Sequence, residues 1–256
     1  MAMSFPARGP SSQGPRRSER RYDAIFFDMG YTLVYFEPRQ AIIAQQALLE
    51  AGAQRSVDEI KAAVEAVYAD YYRDAATATF PPTPEHDRET QVRLEGGMLR
   101  RLGLDADPGT LQVYTDAIEA AFSQRGVMRP YPEVVEILAA LRAQSYRLGI
   151  VSNWSWNLRK RVAQVELDPF FEVVWASAYA GCNKPHPDIF RQALAQMPSP
   201  ALSPDRVLHA GDSYWHDVLG ARAASLDAVL VDRNGTANTP DCPVISDLRG
   251  LFDLLG

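Results

Sequence analysis

The chain has 256 residues, of which 46% are hydrophobic, and it carries a formal charge of −6 with a pI near 5.3. This length allows one large α/β domain, or a core domain with a smaller one attached. The acidic balance argues against a nucleic-acid partner, which would need clustered Lys and Arg. No apolar run approaches the roughly 18 residues that cross a bilayer, so we expect a soluble protein without a membrane partner.

The two cysteines, Cys182 and Cys242, are too few and too far apart for a disulfide framework, and neither belongs to a Cys-x-x-Cys pair. A reducing cytoplasm is therefore the expected location. Residues 1–21 are rich in Ser, Pro, Gly and Arg and nearly devoid of apolar side chains, which predicts a flexible tail. The tail lacks the apolar centre of a secretory signal, whereas an organelle transit peptide stays open as an alternative.

The first predicted strand is "YDAIFFD", an apolar burst from Tyr22 that is followed by a glycine-containing turn. Roughly ninety residues without a convincing strand follow. They contain four predicted helices, separated in one place by the proline-rich break "FPPTPEHD": "RQAIIAQQALLEAGAQ", "SVDEIKAAVEAVYADYYRDA", "ETQVRLEGGMLRRLGL" and "PGTLQVYTDAIEAAFSQR". Ser56 is the predicted N-cap of the second helix. The whole segment, residues 38–128, is predicted to be a helical insert.

Beyond "MRPYPE" the predicted elements alternate between helix and strand. The predicted helices are "EVVEILAALRAQ", "WNLRKRVAQVEL", "HPDIFRQALAQM" and "WHDVLGARAAS", and the predicted strands are "YRLGIVSN", "FEVVWAS", "RVLHAGDS" and "DAVLVDR". Such alternation indicates a doubly wound parallel sheet, an α/β fold covered by helices on both faces. Residues 22–37 and 129–256 would form this Rossmann-like core domain, and residues 38–128 a separate helical domain.

Polar residues follow the ends of the predicted strands, where ligands of parallel sheets bind. Asp28, Ser152 with Asn153, and Asp212 each stand at the end of an apolar strand, and Lys184 lies in the loop after "FEVVWAS". The topology therefore predicts that these side chains converge on one place.

Four stretches, "FFDMGYTL", "LGIVSNW", "GCNKPHPDIF" and "VLHAGDSYWHD", resemble in order and spacing the four motifs of the haloacid dehalogenase-like hydrolase superfamily. The resemblance spans about Tyr22 to Arg233, and the helical insert matches the position of the family's cap. It implies a magnesium-dependent phosphatase for a small phosphorylated metabolite. Asp28 would be the nucleophile that forms an aspartyl-phosphate, and Lys184 would balance the clustered negative charge.

The resemblance also implies the remaining site residues. Ser152, Asn153 and Thr32 would contact the substrate. The Mg²⁺ ion would be held by oxygen ligands, as this ion prefers, from Asp28, Asp212, Asp217 and the backbone carbonyl of Gly30. The oligomeric state is not predicted.

One position departs from the phosphatase pattern. Phosphatase members carry a second Asp two residues after the nucleophile, where it acts as general acid and base, and this chain has Gly30. Such a group typically contributes ~10²–10⁴ in rate. Either the substrate has a leaving group that departs unprotonated, or another side chain supplies the proton, with Tyr31, Glu37, His186 and His216 as the nearby candidates.

Two other classes of function remain open. A 2-haloacid dehalogenase also lacks the second Asp, but those members have an aromatic residue before the glycine, whereas "DMGYTL" has the reverse order. Phosphonate-cleaving members need a cap lysine, and the insert offers only Lys61. Alternatively the protein is a catalytically impaired binder of a phosphorylated ligand or partner. Trp154, Trp156 and Trp215 lie beside motif residues and, like the tyrosines of "YADYYRDA", either face a substrate or pack between core and cap.

Overall fold

The computed structural model describes residues 20–198, 200–238 and 241–255, so the predicted flexible tail lies almost entirely outside the described residues. The described residues form eight strands: β1 Ala24–Phe27, β2 Val34–Phe36, β3 Met128–Pro130, β4 Arg147–Ser152, β5 Val173–Ala176, β6 Val207–Gly211, β7 Asp227–Val231 and β8 Val244–Ile245. Six of them make a parallel sheet in the order β5-β4-β1-β6-β7-β8. The predicted α/β fold class is confirmed.

The central strand β1 is buried on both faces. Ile25 and Phe27 point into one hydrophobic cluster, and Ala24 and Phe26 point into another on the opposite face. This alternation follows from the two-residue period of a strand, and it explains why the sequence reads as a continuous apolar run. Both flanking strands, β4 and β6, end at the same edge as β1, which brings their carboxyl ends together.

Helices cover both faces of this sheet. The four helices of the insert are α1 Gln40–Glu50, α2 Val57–Tyr72, α3 Pro84–Arg101 and α4 Pro108–Ser123. The helices that follow β3 are α5 Val134–Ala143, α6 Leu158–Gln164, α7 Ser177–Ala180, α8 Asp188–Gln196, α9 Gly220–Ala223 and α10 Leu251–Leu255. A π-helical turn, Tyr214–Leu219, precedes α9, so the predicted helix "WHDVLGARAAS" is divided into two forms. No described helix is long and apolar enough to cross a membrane.

The four insert helices pack around their own apolar cluster, which includes Leu48, Ile60 and Leu99. The Ser56 hydroxyl accepts from the Glu59 amide, and the Glu59 carboxylate accepts from the Ser56 amide, so the predicted cap is a complete capping box. The predicted start of the third helix is wrong. The helix begins at Pro84, since Thr83 caps it and a proline is well tolerated in the first turn.

A short antiparallel pair at the junction of insert and sheet was absent from the prediction. Strands β2 and β3 pair Val34 with Pro130 and Phe36 with Met128. Each strand has three residues, which is too short for a recognisable alternation of apolar and polar side chains. The pair joins the two chain crossings between the sheet and the helical insert.

Candidate active site

A buried lysine joins two carboxylates at the carboxyl edge of the sheet. The Lys184 ammonium donates to Asp28 Oδ1 and to Asp217 Oδ1, each at 2.6 Å, and to the carbonyl of Val151 at 3.1 Å. Asp28 follows β1 and Val151 belongs to β4. Burial opposes the charged form of Lys184, but the two carboxylates outweigh it and raise its pKa above the ordinary value. The ammonium is thus charged at any physiological pH.

Asp217 is almost completely enclosed by hydrogen-bond donors. Its Oδ1 lies 2.8 Å from His209 Nε2 as well as 2.6 Å from Lys184, and its Oδ2 accepts from the Ser213 amide at 3.0 Å. Burial disfavours its charge, yet the Lys184 ammonium and His209 prevail and hold the pKa of Asp217 well below its usual range. A Cβ at Gly211 would lie 2.1 Å from Asp217 Cγ, so only glycine lets the carboxylate approach this strand end.

Asp212 completes a group of three acids. Carboxylate oxygens of Asp28, Asp212 and Asp217 lie within 4.8 Å of one another, and only Asp212 is exposed to solvent. Desolvation by the surrounding protein atoms, followed by the charges of Asp28 and Asp217, raises the pKa of Asp212 to about 8. The three hard oxygen donors fit a divalent cation such as Mg²⁺, which would relieve their repulsion.

The environment of Asp28 balances opposing influences. Burial raises the pKa of its carboxyl, the Lys184 ammonium lowers it, and the Asp217 charge raises it again, with a net upward direction. The Ser152 hydroxyl, which is buried at the end of β4, also favours the ionised form. Thr32 is also buried, and its hydroxyl faces Asp212 Oδ1 at 3.5 Å. Both hydroxyls thus lie within the cluster that the sequence predicts.

Asn153 is engaged in holding the lysine loop. Its side-chain oxygen accepts from the Lys184 amide at 2.7 Å, and its side-chain nitrogen donates to the Lys184 carbonyl at 3.1 Å. These two bonds fix the backbone on either side of the lysine side chain. In the structure, therefore, Asn153 positions Lys184, while its predicted contact with substrate stays a prediction.

Comparison with known proteins decides the family. The chain matches the haloacid dehalogenase-like hydrolase family over residues 22–225, most of its length. The protein belongs to this family. It is 26% identical to a glyceraldehyde 3-phosphate phosphatase of Methanopyrus kandleri over 216 residues, which cover 82% of this chain and 84% of the relative. It is also 26% identical to a phosphoserine phosphatase of Thermus thermophilus over 248 residues, or 89% and 97% of the two chains.

A solved structure has the same fold. The magnesium-bound crystal structure of the HAD hydrolase YfnB from Bacillus subtilis superposes with a TM-score of 0.73, at 22% identity, over 92% of this chain and 99% of the other. The predicted family and the prediction of a hydrolytic enzyme are confirmed. The relatives named as phosphatases also favour phosphoryl chemistry over carbon-centred chemistry for this hydrolase.

The position two residues after Asp28 in this hydrolase is bordered by an indole ring. A Cβ at Gly30 would lie 3.6 Å from Trp154 Cζ3, an ordinary contact distance. The Trp154 indole nitrogen donates to Asn157 Oδ1 at 3.0 Å, which holds the ring in place. A small side chain would therefore fit at position 30. Glycine leaves this position without an acidic group.

The four predicted substitutes for that acid have different surroundings. The Tyr31 hydroxyl donates to Gln40 at 3.1 Å, Glu37 pairs with Arg129 at 3.3 Å, and the His186 ring accepts from the Asp188 amide at 3.2 Å. His216, like Tyr31, contacts both the core and the insert. Its Nδ1 lies 3.2 Å from Ser213 Oγ, and its buried Nε2 has no hydrogen-bond partner among the described residues. Burial lowers the pKa of the His216 ring, as does the nearby Lys184.

The helical insert closes over the carboxyl edge through direct polar contacts. The Trp156 amide donates to Asp87 Oδ2 at 2.9 Å, and the Phe80 amide donates to the Gly181 carbonyl at 2.8 Å. The Asn183 side chain donates to the Tyr71 hydroxyl at 3.1 Å. Opening of the insert must break these bonds, so the described arrangement is a closed one.

Sequence reasoning missed several residues that support the site. His209 contacts Asp217, and a histidine inside the apolar strand "VLHAG" was the available signal. Arg233 donates to the carbonyl of Thr32 and to Glu133, each at 2.7 Å, and its guanidinium lies 3.5 Å from the centre of the Tyr131 ring. Nothing in the one-dimensional pattern connects these four positions, because the contacts join segments about a hundred residues or more apart.

Proposed function

We propose that this hydrolase is a magnesium-dependent phosphatase that acts on a small phosphorylated metabolite through an aspartyl-phosphate on Asp28. The observation that carries the proposal is the lysine-bridged pair of buried carboxylates beside a third, exposed acid at the carboxyl edge of the sheet. The phosphatase relatives and the family's strand-end motifs point the same way. The cytoplasm is the proposed location.

The residues divide into a nucleophile, a cation and metal ligands. Asp28, Asp212, Asp217 and the Gly30 carbonyl would hold Mg²⁺, which would supply positive charge next to the phosphoryl oxygens. Asp217 also has donors on both oxygens and holds Lys184 in place. Lys184 favours the ionised form of Asp28 and attracts the incoming phosphate, and Ser152 and Thr32 offer hydroxyl groups within the same cluster.

The chemical step needs no base to activate the nucleophile. The Asp28 carboxylate attacks phosphorus, the bond from phosphorus to the leaving oxygen breaks, and the leaving group departs with the electron pair. Water then attacks phosphorus, which releases inorganic phosphate and restores the carboxylate. The insert is proposed to be a cap domain of residues 38–128 over a core domain of residues 22–37 and 129–256. In its closed position the cap would exclude bulk water during the transfer.

The test is phosphate release from a panel of acyl, aryl and alkyl phosphates with and without Mg²⁺. We expect metal-dependent turnover that Asp28→Asn abolishes while its circular dichroism spectrum and unfolding transition stay those of the unaltered protein. Turnover that survives this substitution would exclude the aspartyl-phosphate route. Halide release from 2-haloacids, with no phosphate release, would favour the dehalogenase alternative instead.

A second candidate function rests on Gly30. Because the general acid is absent at this position, the protein is alternatively a binder of a phosphorylated ligand or partner with little turnover. That alternative predicts a ligand that is retained through purification and no turnover of any compound in the panel.

A further inference from the structure

A cleft lined by aromatic rings opens between the insert and the core. It has a volume of about 580 Å³ and lies between helix α2 and the π-helical turn, with Tyr68, Tyr72, Trp215 and His216 among its lining residues. Small-molecule sites commonly have volumes of this order. Tyr68 and Trp215, which both line the cleft, are 42% and 50% exposed, and neighbouring exposed aromatic side chains can mark a binding site.

The inner end of the cleft adjoins the acidic cluster. The Tyr72 ring lies 4.8 Å from the His216 ring, centre to centre, and the Tyr72 hydroxyl lies close to Asn153, the residue that holds the lysine loop. Burial raises the pKa of Tyr72, and the Asp28 charge adds to the rise. Tyr72 and His216 thus form a wall that the cleft shares with the site of phosphoryl transfer.

The charges at the cleft favour a neutral ring over a charged substituent. Its two ionic lining residues are Glu65 and Arg73, and each already has a partner of opposite charge. Lys61 lies 3.8 Å from Glu65, and Arg73 forms an ion pair with Asp70. Aromatic side chains form favourable stacked or edge-to-face contacts with other rings. The lining therefore selects for a planar, uncharged group.

The missing acid at Gly30 points to the same chemistry. A phenol has a pKa of about 10, so its anion leaves phosphorus far more readily than an aliphatic alkoxide and needs no proton during departure. We propose that the cleft binds an aromatic ring whose own oxygen carries the phosphoryl group, so that the substrates are aryl phosphate monoesters. This inference rests on the proposed phosphatase function and names its substrate class.

The proposed step is balanced without a general acid. The Asp28 oxygen forms a bond to phosphorus, the bond between phosphorus and the aryl oxygen breaks, and the phenolate leaves with both electrons and takes a proton from water. Water then attacks the aspartyl-phosphate and releases inorganic phosphate. A second depression, of about 390 Å³ between α2 and the end of α3, lies away from the acidic cluster and has no part in this step.

The experiment compares two good leaving groups, of which only one has a ring. We would measure kcat/KM of the full chain with Mg²⁺ for phenyl phosphate and for acetyl phosphate, in the unaltered protein, Trp215→Ala and Tyr68→Ala. Loss of one stacking partner should lower the ratio of phenyl to acetyl phosphate roughly tenfold. Tyr214→Ala is the matched control, because Tyr214 lies in the same turn but donates to Asp241 at 2.8 Å, and it should leave the ratio within about twofold.

Calorimetry with phosphonates, which cannot be hydrolysed, gives a readout that does not depend on turnover. Phenylphosphonate should bind roughly tenfold more tightly than methylphosphonate, and Trp215→Ala should remove the difference. Equal binding of the two phosphonates, or an equal ratio of kcat/KM in Trp215→Ala and Tyr214→Ala, would overturn the aryl site. If the unaltered protein turns over neither phosphate compound, the phosphatase function fails, and the calorimetric comparison still decides whether the cleft binds a ring.

Discussion

Replacement of Lys184 by methionine isolates the electrostatic role of the buried ammonium. The substitution keeps an unbranched side chain of similar length and removes two charge-assisted hydrogen bonds of 2.6 Å, to Asp28 and Asp217. A hydrogen bond to a charged group contributes about 1.5–3 kcal/mol, and loss of one partner of a buried ion pair costs about 3–5 kcal/mol. We therefore expect Lys184→Met to lower the free energy of unfolding by about 3–5 kcal/mol at pH 7.

The pH dependence of that loss follows from the carboxylates. In the unaltered protein Lys184 depresses the pKa of Asp217, so the stabilisation is present above the unfolded value of about 3.9 and is lost as the pH falls through the folded value. Without Lys184, burial and mutual repulsion raise the folded pKa values of Asp28 and Asp217, so the folded variant binds more protons than the unfolded one. Its stability then increases as the pH falls, and the difference between the two proteins should shrink from pH 7 to pH 5.

Urea unfolding at both pH values measures this difference. Lys61→Met is the matched control, because Lys61 is exposed, 3.8 Å from Glu65, and should cost no more than about 0.5 kcal/mol. Mg²⁺ should restore part of the stability of Lys184→Met, since a cation bound to the acids stabilises only the folded state. A loss below about 1 kcal/mol, or a loss that grows on acidification, would refute the assigned role of Lys184.

Three further predictions test neighbouring groups. Gly30→Asp should raise turnover of alkyl phosphates ~10²-fold relative to aryl phosphates, because its Cβ would meet only the Trp154 ring, at 3.6 Å, and its carboxyl can act as general acid. Gly30→Asn should not change this ratio, and turnover of a panel of phosphates with different leaving groups measures it. Because Asp212 has a pKa of about 8, Mg²⁺ binding at pH 7 should displace a proton, and the affinity for Mg²⁺ should increase from pH 6 to pH 9. Calorimetry in buffers of different ionisation enthalpy measures the released proton, and a pH-independent affinity would contradict this prediction. His209→Leu should lower the free energy of unfolding by about 1–3 kcal/mol, and His209→Gln should lower it by less, since glutamine keeps a donor toward Asp217. Equal losses of the two variants in urea unfolding would show that the contact between His209 and Asp217 is unimportant.

The sequence predicted the chemistry-bearing edge of the sheet because strand period and topology determine it. Asp28 and Ser152 end neighbouring strands with continuous apolar runs, and parallel strands bring their carboxyl ends to one edge. Lys184 lies in the loop after a third strand, so the topology also places it near this edge, and the family resemblance assigns it the role of the cation that balances the acids. The structure then gives the contact between Lys184 and Asp28 a distance of 2.6 Å.

Other features were beyond reach from the sequence because they depend on tertiary contacts. Strands β2 and β3 pair residues almost a hundred positions apart, and three residues carry no readable period. The early start of α3 depends on a proline that reads as a break in the sequence but occupies the first turn of a helix. The position of Tyr72 against His216 depends on how the insert packs on the core, which no local pattern records.

The central claim is that Asp28 carries the phosphoryl group during turnover. A direct measurement is to quench the enzyme with acid during steady-state turnover of 4-nitrophenyl phosphate with Mg²⁺ and to analyse its peptides by mass spectrometry. The account predicts a phosphoryl group on Asp28 that hydroxylamine removes and that Asp28→Asn lacks, in parallel with its loss of activity. Sustained turnover with an unmodified Asp28, or with the phosphoryl group on another residue, would contradict it.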